Sequence, residues 1–163
     1  MALLAGARSP CERLHVGCVL VKDKRVLSMG YNGFFSGAPH ESIMAGGHEQ
    51  ATVHAEQNAI SHAARTGIAL LGAVAYVTHY PCVNCFKSLV AAGIEHVYYI
   101  DDYRNDAVNA QLSRVSGISI EQLVEPIEPI IPVPHTPAIE QLPAAEEKRS
   151  AAPTPYATAA DGA

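Results

Sequence analysis

Four residues of this chain combine types and spacing that suit metal-assisted chemistry: His54, Glu56, Cys82 and Cys85. Cys82 and Cys85 lie three positions apart in the stretch Pro-Cys-Val-Asn-Cys, so the first turn of a helix can present both thiols on one face. With the imidazole of His54 they provide three ligands for zinc. A structural zinc usually has four protein ligands, whereas a catalytic zinc keeps one position open for water. The sequence therefore predicts a catalytic zinc site.

Glu56 gives this predicted site a proton acceptor. It follows His54 by two positions and has no place in a Cys/His ligand set. Zinc lowers the pKa of a bound water to about 7, and a nearby carboxylate can then carry the proton. The alternative is a purely structural zinc with a fourth, unidentified ligand, and it leaves Glu56 without a role.

Both halves of the site are predicted at the starts of helices. Alanines recur every four residues after His54, which predicts a helix over 53–65 that Gly67 ends. Pro81 is expected at the first position of the second helix, where proline is favoured, and Gly93 is expected to cap its end. Two separate helix starts must therefore meet.

The other elements predict an α/β layer around a partly parallel sheet, because strands and helices alternate. We expect a short first helix that closes near residue 9 and a later helix over 106–116. The strands are expected at 15–21, 25–31, 73–78, 96–100 and 118–123, the first two as a hairpin. The loop at 32–52 is long for a compact domain, which is typical of a functional loop.

Composition divides the 163 residues into a domain at 1–123 and a tail at 124–163. Eight of the eleven prolines lie at 126–155, and the residues between them bury too little surface to offset ordering, so we expect a disordered, extended tail. The net charge of −5 is also uneven, at −1 for the domain and −4 for the tail. Because neither part has a basic patch, we expect no long nucleic acid as substrate.

Localisation is expected to be cytoplasmic. No stretch has the roughly 18 uninterrupted apolar residues of a membrane span, and the first residues lack the basic leader of a signal peptide. Four cysteines, two of them in a Cys-x-x-Cys pair, favour metal binding in a reducing compartment over disulfide bridging.

The order His-x-Glu and then Pro-Cys-x-x-Cys is the signature of the zinc-dependent deaminases of nucleobases. From Cys11 to Asp106 the sequence resembles the deoxycytidylate (dCMP) deaminase family. Beyond the signature, the resemblance includes Val16-Gly17, Gly30-Tyr31-Asn32-Gly33, Ala91-Ala92-Gly93-Ile94 and the turn at 101–106. It implies a three-layer α/β/α cytidine-deaminase-like fold, with a five-stranded mixed sheet and helices on both faces. It also implies zinc-dependent hydrolysis of dCMP to dUMP and ammonia, which supplies thymidylate synthesis.

Further site residues follow from the same resemblance. Asn32 would hold the sugar and Tyr103 would approach the phosphate; an ordinary Asn-Gly turn and a surface aromatic side chain are the alternatives. From helix geometry, the amides around Ala55 are expected to bind the base carbonyl. Gly33 is expected to leave its backbone amide open for close approach by the phosphate.

Some relatives carry a second, structural zinc. Cys11, His40 and His48 stand near the matching places and are candidate ligands, with another donor such as Glu41 needed for four-coordination. Packed or solvated side chains are the alternative for all three.

Partners and regulation are also implied by the resemblance. The family forms homo-oligomers, as hexamers, and some members are switched on by dCTP and off by dTTP.

Two other functions stay open: deamination of another base, such as tRNA adenosine, guanine or a free nucleoside, and a zinc-stabilised binding module without turnover that finds partners through its Pro-rich tail.

Overall fold

The computed structural model describes residues 1–46, 48–103 and 105–124, without the side chain of His48. The predicted tail, apart from its first residue, lies outside the described residues. The elements in chain order are α1 (Ala2–Gly6), β1 (Gly17–Lys22), β2 (Arg25–Tyr31), β3 (Gly33–Phe34), β4 (Met44–Ala45), β5 (His48–Glu49), β6 (Thr52–Val53), α2 (Ala55–Thr66), β7 (Ala73–His79), α3 (Val83–Ala91), β8 (Ile94–Asp101), α4 (Ala107–Ser116) and β9 (Ser119–Gln122).

Five strands form the main sheet in the order β2-β1-β7-β8-β9. The pairs β2–β1 and β1–β7 are antiparallel, whereas β7–β8 and β8–β9 are parallel. The parallel pairs need crossover connections, which α3 and α4 supply. The predicted five-stranded mixed sheet is confirmed.

Helices cover the two faces of this sheet unequally. Cys18 and Leu20 point to the face where α2 and α3 pack, and both belong to the buried core. Gly17, on the other face, lies so close to α1 that a Cβ on it would collide with the backbone at Ala2 and Gly6. Val19, on the same face as Gly17, pairs in register with Tyr76. The α1 helix has only five residues, so it covers one end of this second face.

The β1–β2 hairpin turns without the favoured Asn-Gly pair. Asp23 and Lys24 both have positive φ, at 50° and 61°. Two consecutive left-handed residues match a type I′ turn, whose twist suits adjacent antiparallel strands. The predicted hairpin is therefore present, with a backbone that is uncommon for lysine.

The start predicted for the second zinc helix is wrong. Pro81 is not its first residue, because Cys82 has extended φ and ψ as the N-cap and α3 begins at Val83. The stretch 32–52, predicted as one long loop, also contains short strands: β3 pairs with β6, and β4 pairs with β5. Among the described residues, no helix is both long and apolar enough to cross a bilayer.

Candidate active site

Three potential metal ligands meet where α2 and α3 begin. The Nδ1 atom of His54 lies 3.6 Å from the Sγ of Cys82 and 3.4 Å from the Sγ of Cys85. His54 is the N-cap of α2 but makes no side-chain capping bond, so its ring turns to the thiols. Cys82 is the N-cap of α3, and its sulfur accepts a hydrogen bond from the amide of Cys85. Folding thus brings together ligands 28 and 31 positions apart.

The spacing of these atoms fits zinc. With Zn–S near 2.3 Å and Zn–N near 2.0 Å, tetrahedral geometry places nitrogen and sulfur ligands about 3.5 Å apart. The two N–S distances of 3.6 and 3.4 Å bracket that value. No other His, Cys, Asp or Glu among the described residues joins this cluster, so three protein ligands leave one tetrahedral position for a non-protein ligand.

The two thiols differ in acidity because they share a hydrogen bond. The bond from Cys85, with smaller help from His54, lowers the pKa of Cys82 to about 4. That same bond, together with burial, raises the pKa of Cys85. The contact with Cys82 also raises the pKa of His54. The low pKa of Cys82 favours the thiolate form that binds metal, and a bound cation would lower the pKa of Cys85 so that it also binds as a thiolate.

Glu56 lies beside this cluster in a buried position. Glu56 is 4% exposed, and burial raises the pKa of its carboxyl group. Glu56 lines the same cavity as His54, Ala55 and Cys82. A carboxyl group with a raised pKa, next to a candidate metal site, suits a group that takes and returns protons near neutral pH.

The start of α2 is held against β2 at very short range. A Cβ on Gly30 would collide with the carbonyl of Ala55 and the amide of Ala59. One turn away, the Nδ2 of Asn58 donates to the carbonyl of Tyr31 at 2.9 Å. The absence of a side chain at Gly30 therefore sets the position of the helix that carries His54.

The structure brings Asn32 to the cavity and leaves Gly33 outside the residues that line it. The Oδ1 of Asn32 accepts from the amide of Val16, and its Nδ2 donates to the carbonyl of Leu14, each at 2.8 Å. These bonds fix the amide and leave one N–H and one lone pair for a ligand. Gly33 is buried, and a Cβ there would lie 3.1 Å from the ring of Pro10.

Tyr103 lines the cavity beside a cation that the sequence reasoning missed. Its hydroxyl accepts a hydrogen bond from the Nη2 of Arg13 at 3.2 Å. Among the described residues that line the cavity, Arg13 alone has a permanent positive charge. The contact joins residues 90 positions apart, so no local pattern indicates it.

His79 and Asn109 were also missed. His79 ends β7 and lines the cavity. Asn109, fully buried in α4, donates from Nδ2 to the carbonyl of Pro81 at 2.8 Å, and its Oδ1 has no hydrogen-bond partner. Asn109 therefore holds the residue before Cys82. Because α4 carries several polar residues, the sequence does not single out Asn109.

Among the described side chains, Cys11 and His40 do not form a ligand cluster for a second zinc. The thiol of Cys11 donates to the carbonyl of Asn32 at 3.7 Å. The ring of His40 stacks on Phe34 with centroids 5.0 Å apart. The side chain of His48 lies outside the description, so a second zinc stays a prediction.

The chain is similar to known deaminases. Residues 1–101 match the family model described as the cytidine and deoxycytidylate deaminase zinc-binding region. Over 124 residues the chain is 42% identical to ComE operon protein 2 of Bacillus subtilis, covering 74% of this chain and 66% of that protein. Over 138 residues it is 35% identical to the deoxycytidylate deaminase of Schizosaccharomyces pombe, covering 77% of this chain and 42% of that protein. The chain thus spans less than two thirds of either relative.

A solved structure has the same fold. It is the dCMP deaminase of cyanophage S-TIM5 in complex with dCMP and dUMP, with a TM-score of 0.68 and 31% sequence identity. The match covers 75% of this chain and 90% of the phage chain.

Proposed function

The chain belongs to the cytidine and deoxycytidylate deaminase family, and from that premise we propose that it hydrolyses dCMP to dUMP and ammonia. The observation that carries the proposal is one cavity lined by His54 and Cys82, two members of the zinc-compatible ligand set, and by the buried residue Glu56. The phage relative that binds dCMP and dUMP supports the choice of nucleotide.

His54, Cys82 and Cys85 would hold the zinc. When bound, zinc supplies a Lewis acid that makes a water-derived nucleophile available at neutral pH. Glu56 accepts the proton of the attacking water and delivers it to N3 of the cytosine ring. Once the C4–O bond has formed, Glu56 takes the second proton from the new C4 hydroxyl group and passes it to the amino group. The C4–N bond then breaks, ammonia leaves and the C4 carbonyl of the uracil ring remains.

The backbone at the start of α2 would orient the base. The first amides of a helix have no partner within the helix, and Ala55 is the first residue of α2. Ala55 lines the cavity next to Glu56, and its amide would donate to the base carbonyl. The spare N–H and lone pair of Asn32 would hold the deoxyribose.

Arg13 and Tyr103 would receive the 5′-phosphate. A guanidinium group offers several donors in a geometry that matches phosphate oxygens. The 3.2 Å contact between the two side chains places a cation and a hydroxyl side by side at the cavity wall. This pair supplies the phosphate partner that composition alone does not indicate.

Steady-state kinetics on dCMP, deoxycytidine and dCTP test the proposal. We expect kcat/KM for dCMP to exceed that for deoxycytidine by roughly 100-fold, because hydrogen bonds to charged groups are each worth about 1.5–3 kcal/mol. We expect dCTP to be poorer than dCMP. Equal kcat/KM for dCMP and deoxycytidine would reject the nucleotide as the substrate.

We extend the proposal to the setting of the enzyme. A homo-oligomer, hexameric as in the family, and control by dCTP and dTTP rest on the resemblance alone. A cytoplasmic location is supported by four free cysteines, two of which must stay reduced to bind zinc. The resemblance also leaves a second, structural zinc at Cys11, His40 and His48 as an alternative, which metal analysis tests.

A further inference from the structure

His79 lies in the cavity but has no part in the chemistry described above. It is the last residue of β7, and its side chain is 17% exposed. Its ring meets that of Tyr103 edge to face, with centroids 6.2 Å apart. His79 therefore stands next to the Arg13–Tyr103 pair.

A hydrogen bond from Thr78 fixes which ring nitrogen of His79 carries the proton. The Oγ1 of Thr78 lies 2.9 Å from the Nδ1 of His79 and also accepts from the amide of Gly17 at 3.1 Å. Thr78 is 1% exposed, and among the described residues no other acceptor for its hydroxyl proton is recorded. The hydroxyl therefore donates to Nδ1, and the neutral ring carries its proton on Nε2.

The Nε2–H group is left without a hydrogen bond to the described residues. The Oδ2 atom of Asp101 lies 3.9 Å from Nε2, which is beyond hydrogen-bond distance. That carboxylate is 61% exposed, so water screens it. Burial lowers the pKa of His79, against an opposing effect of Asp101, which is consistent with a neutral ring that donates.

We propose that His79 is a specificity-determining residue whose Nε2–H donates to the 5′-phosphate, beside Arg13 and Tyr103. The proposal rests on the proposed function, because it names a further contact of the same nucleotide. Thr78 acts as a positioning residue, since its hydroxyl holds the ring in the donating tautomer. Deoxycytidine has no phosphate, and its turnover does not use His79.

Two substitutions of His79 test the roles of its two ring nitrogen atoms separately. His79→Asn keeps a polar atom near the position of Nδ1 and removes the group at Nε2, whereas His79→Gln places an amide N–H near Nε2. We expect His79→Asn to lower kcat/KM for dCMP by about 10- to 100-fold, the worth of one hydrogen bond to a charged group, and to leave deoxycytidine unchanged. We expect His79→Gln to restore most of the loss.

His96→Asn is the matched control. His96 is also a strand histidine whose Nδ1 contacts a hydroxyl, that of Ser119 at 2.6 Å, but it is not among the residues that line the cavity. We expect this variant to match the unmodified chain on both substrates. Equal losses on dCMP and deoxycytidine in His79→Asn would overturn the proposal, and so would a Gln variant as weak as the Asn variant.

Long-range 1H–15N NMR of the zinc-loaded chain gives a readout that does not need turnover. We expect the Nε2–H tautomer for His79 and a shift of its ring signals on addition of dUMP, but none on addition of deoxyuridine. An Nδ1–H tautomer, or equal shifts with both ligands, would overturn the proposal. A chain that binds dUMP through His79 but releases no ammonia from dCMP would overturn the proposed function and keep this contact.

Discussion

The two ends of the cavity are built in opposite ways. At the metal end, His54, Cys82 and Cys85 sit at the starts of two helices, and Glu56 beside them is 4% exposed. At the other end, which we call the phosphate wall, the exposed loop residue Arg13 contacts Tyr103.

This difference separates catalysis from selectivity. In the proposed function, the buried carboxyl group of Glu56 and the metal ligands would act on any cytosine ring in the cavity. Arg13 and Tyr103 would contact only the phosphate, the part of the substrate that distinguishes a nucleotide from a nucleoside. We therefore expect changes at the metal end to affect all substrates equally, and changes at the wall to affect nucleotides alone.

The largest effect is expected for Glu56→Gln. The amide keeps the shape of the side chain but carries no proton between water and the base, so turnover should fall by about 10⁴-fold or more on both dCMP and deoxycytidine. Ammonia release measures the loss, and metal analysis should show that zinc is retained.

Glu12→Gln is the control for this substitution. Glu12 lines the same cavity but is exposed and lies beside the wall residue Arg13. Its variant should remain close to normal. Activity of Glu56→Gln within a few-fold of the unmodified chain would assign the proton transfers to another group.

A smaller effect is expected for Asn109→Leu, which tests how far the metal end extends. The change keeps the branched shape of the side chain at a larger volume, removes the unpartnered Oδ1 and takes the donor away from the Pro81 carbonyl. We expect zinc affinity, measured by competition with a chelator, to fall about 10- to 100-fold, as is usual when the support behind a metal ligand is lost.

Ser113→Ala is the control on the same helix. Ser113 donates to the carbonyl of Ile118 at 2.6 Å, also a side-chain bond to backbone, and neither residue belongs to the metal cluster. Normal zinc affinity in Asn109→Leu, or an equal loss in Ser113→Ala, would limit Asn109 to general stability.

No effect on metal content is expected for Cys11→Ser, which tests whether the phosphate wall holds a metal of its own. The thiol of Cys11 already has a partner in the carbonyl of Asn32, and a serine hydroxyl can keep that bond. We expect one zinc per chain before and after the change. A count that drops from two to one would establish the second zinc with His40 and His48.

The sequence was sufficient to predict the metal end because its determinants are local. His54 and Glu56 are two positions apart, Cys82 and Cys85 three, and each pair sits at a helix start. Helix periodicity after His54 and the Pro-Cys-x-x-Cys stretch then indicated the two helix starts that carry these pairs.

The phosphate wall could not be predicted in the same way. Arg13 and Tyr103 lie 90 positions apart in the sequence, and Thr78, which accepts a hydrogen bond from the amide of Gly17, lies 61 positions from it. Such contacts depend on the order of the strands, which no local pattern records. The role of Asn109 was not predicted for the same reason, since its hydrogen-bond partner Pro81 is 28 positions away.

Gly30 shows how a residue can look catalytic without touching substrate. A single added methyl group would push against the backbone of Ala55 and Ala59 and displace the helix that carries His54 and Glu56. In a mutational scan, we expect substitutions at Gly30 to lower turnover as those at Glu56 do, although Gly30 would touch no reacting atom. The need for glycine at this position therefore comes from the geometry of a helix rather than from a chemical role.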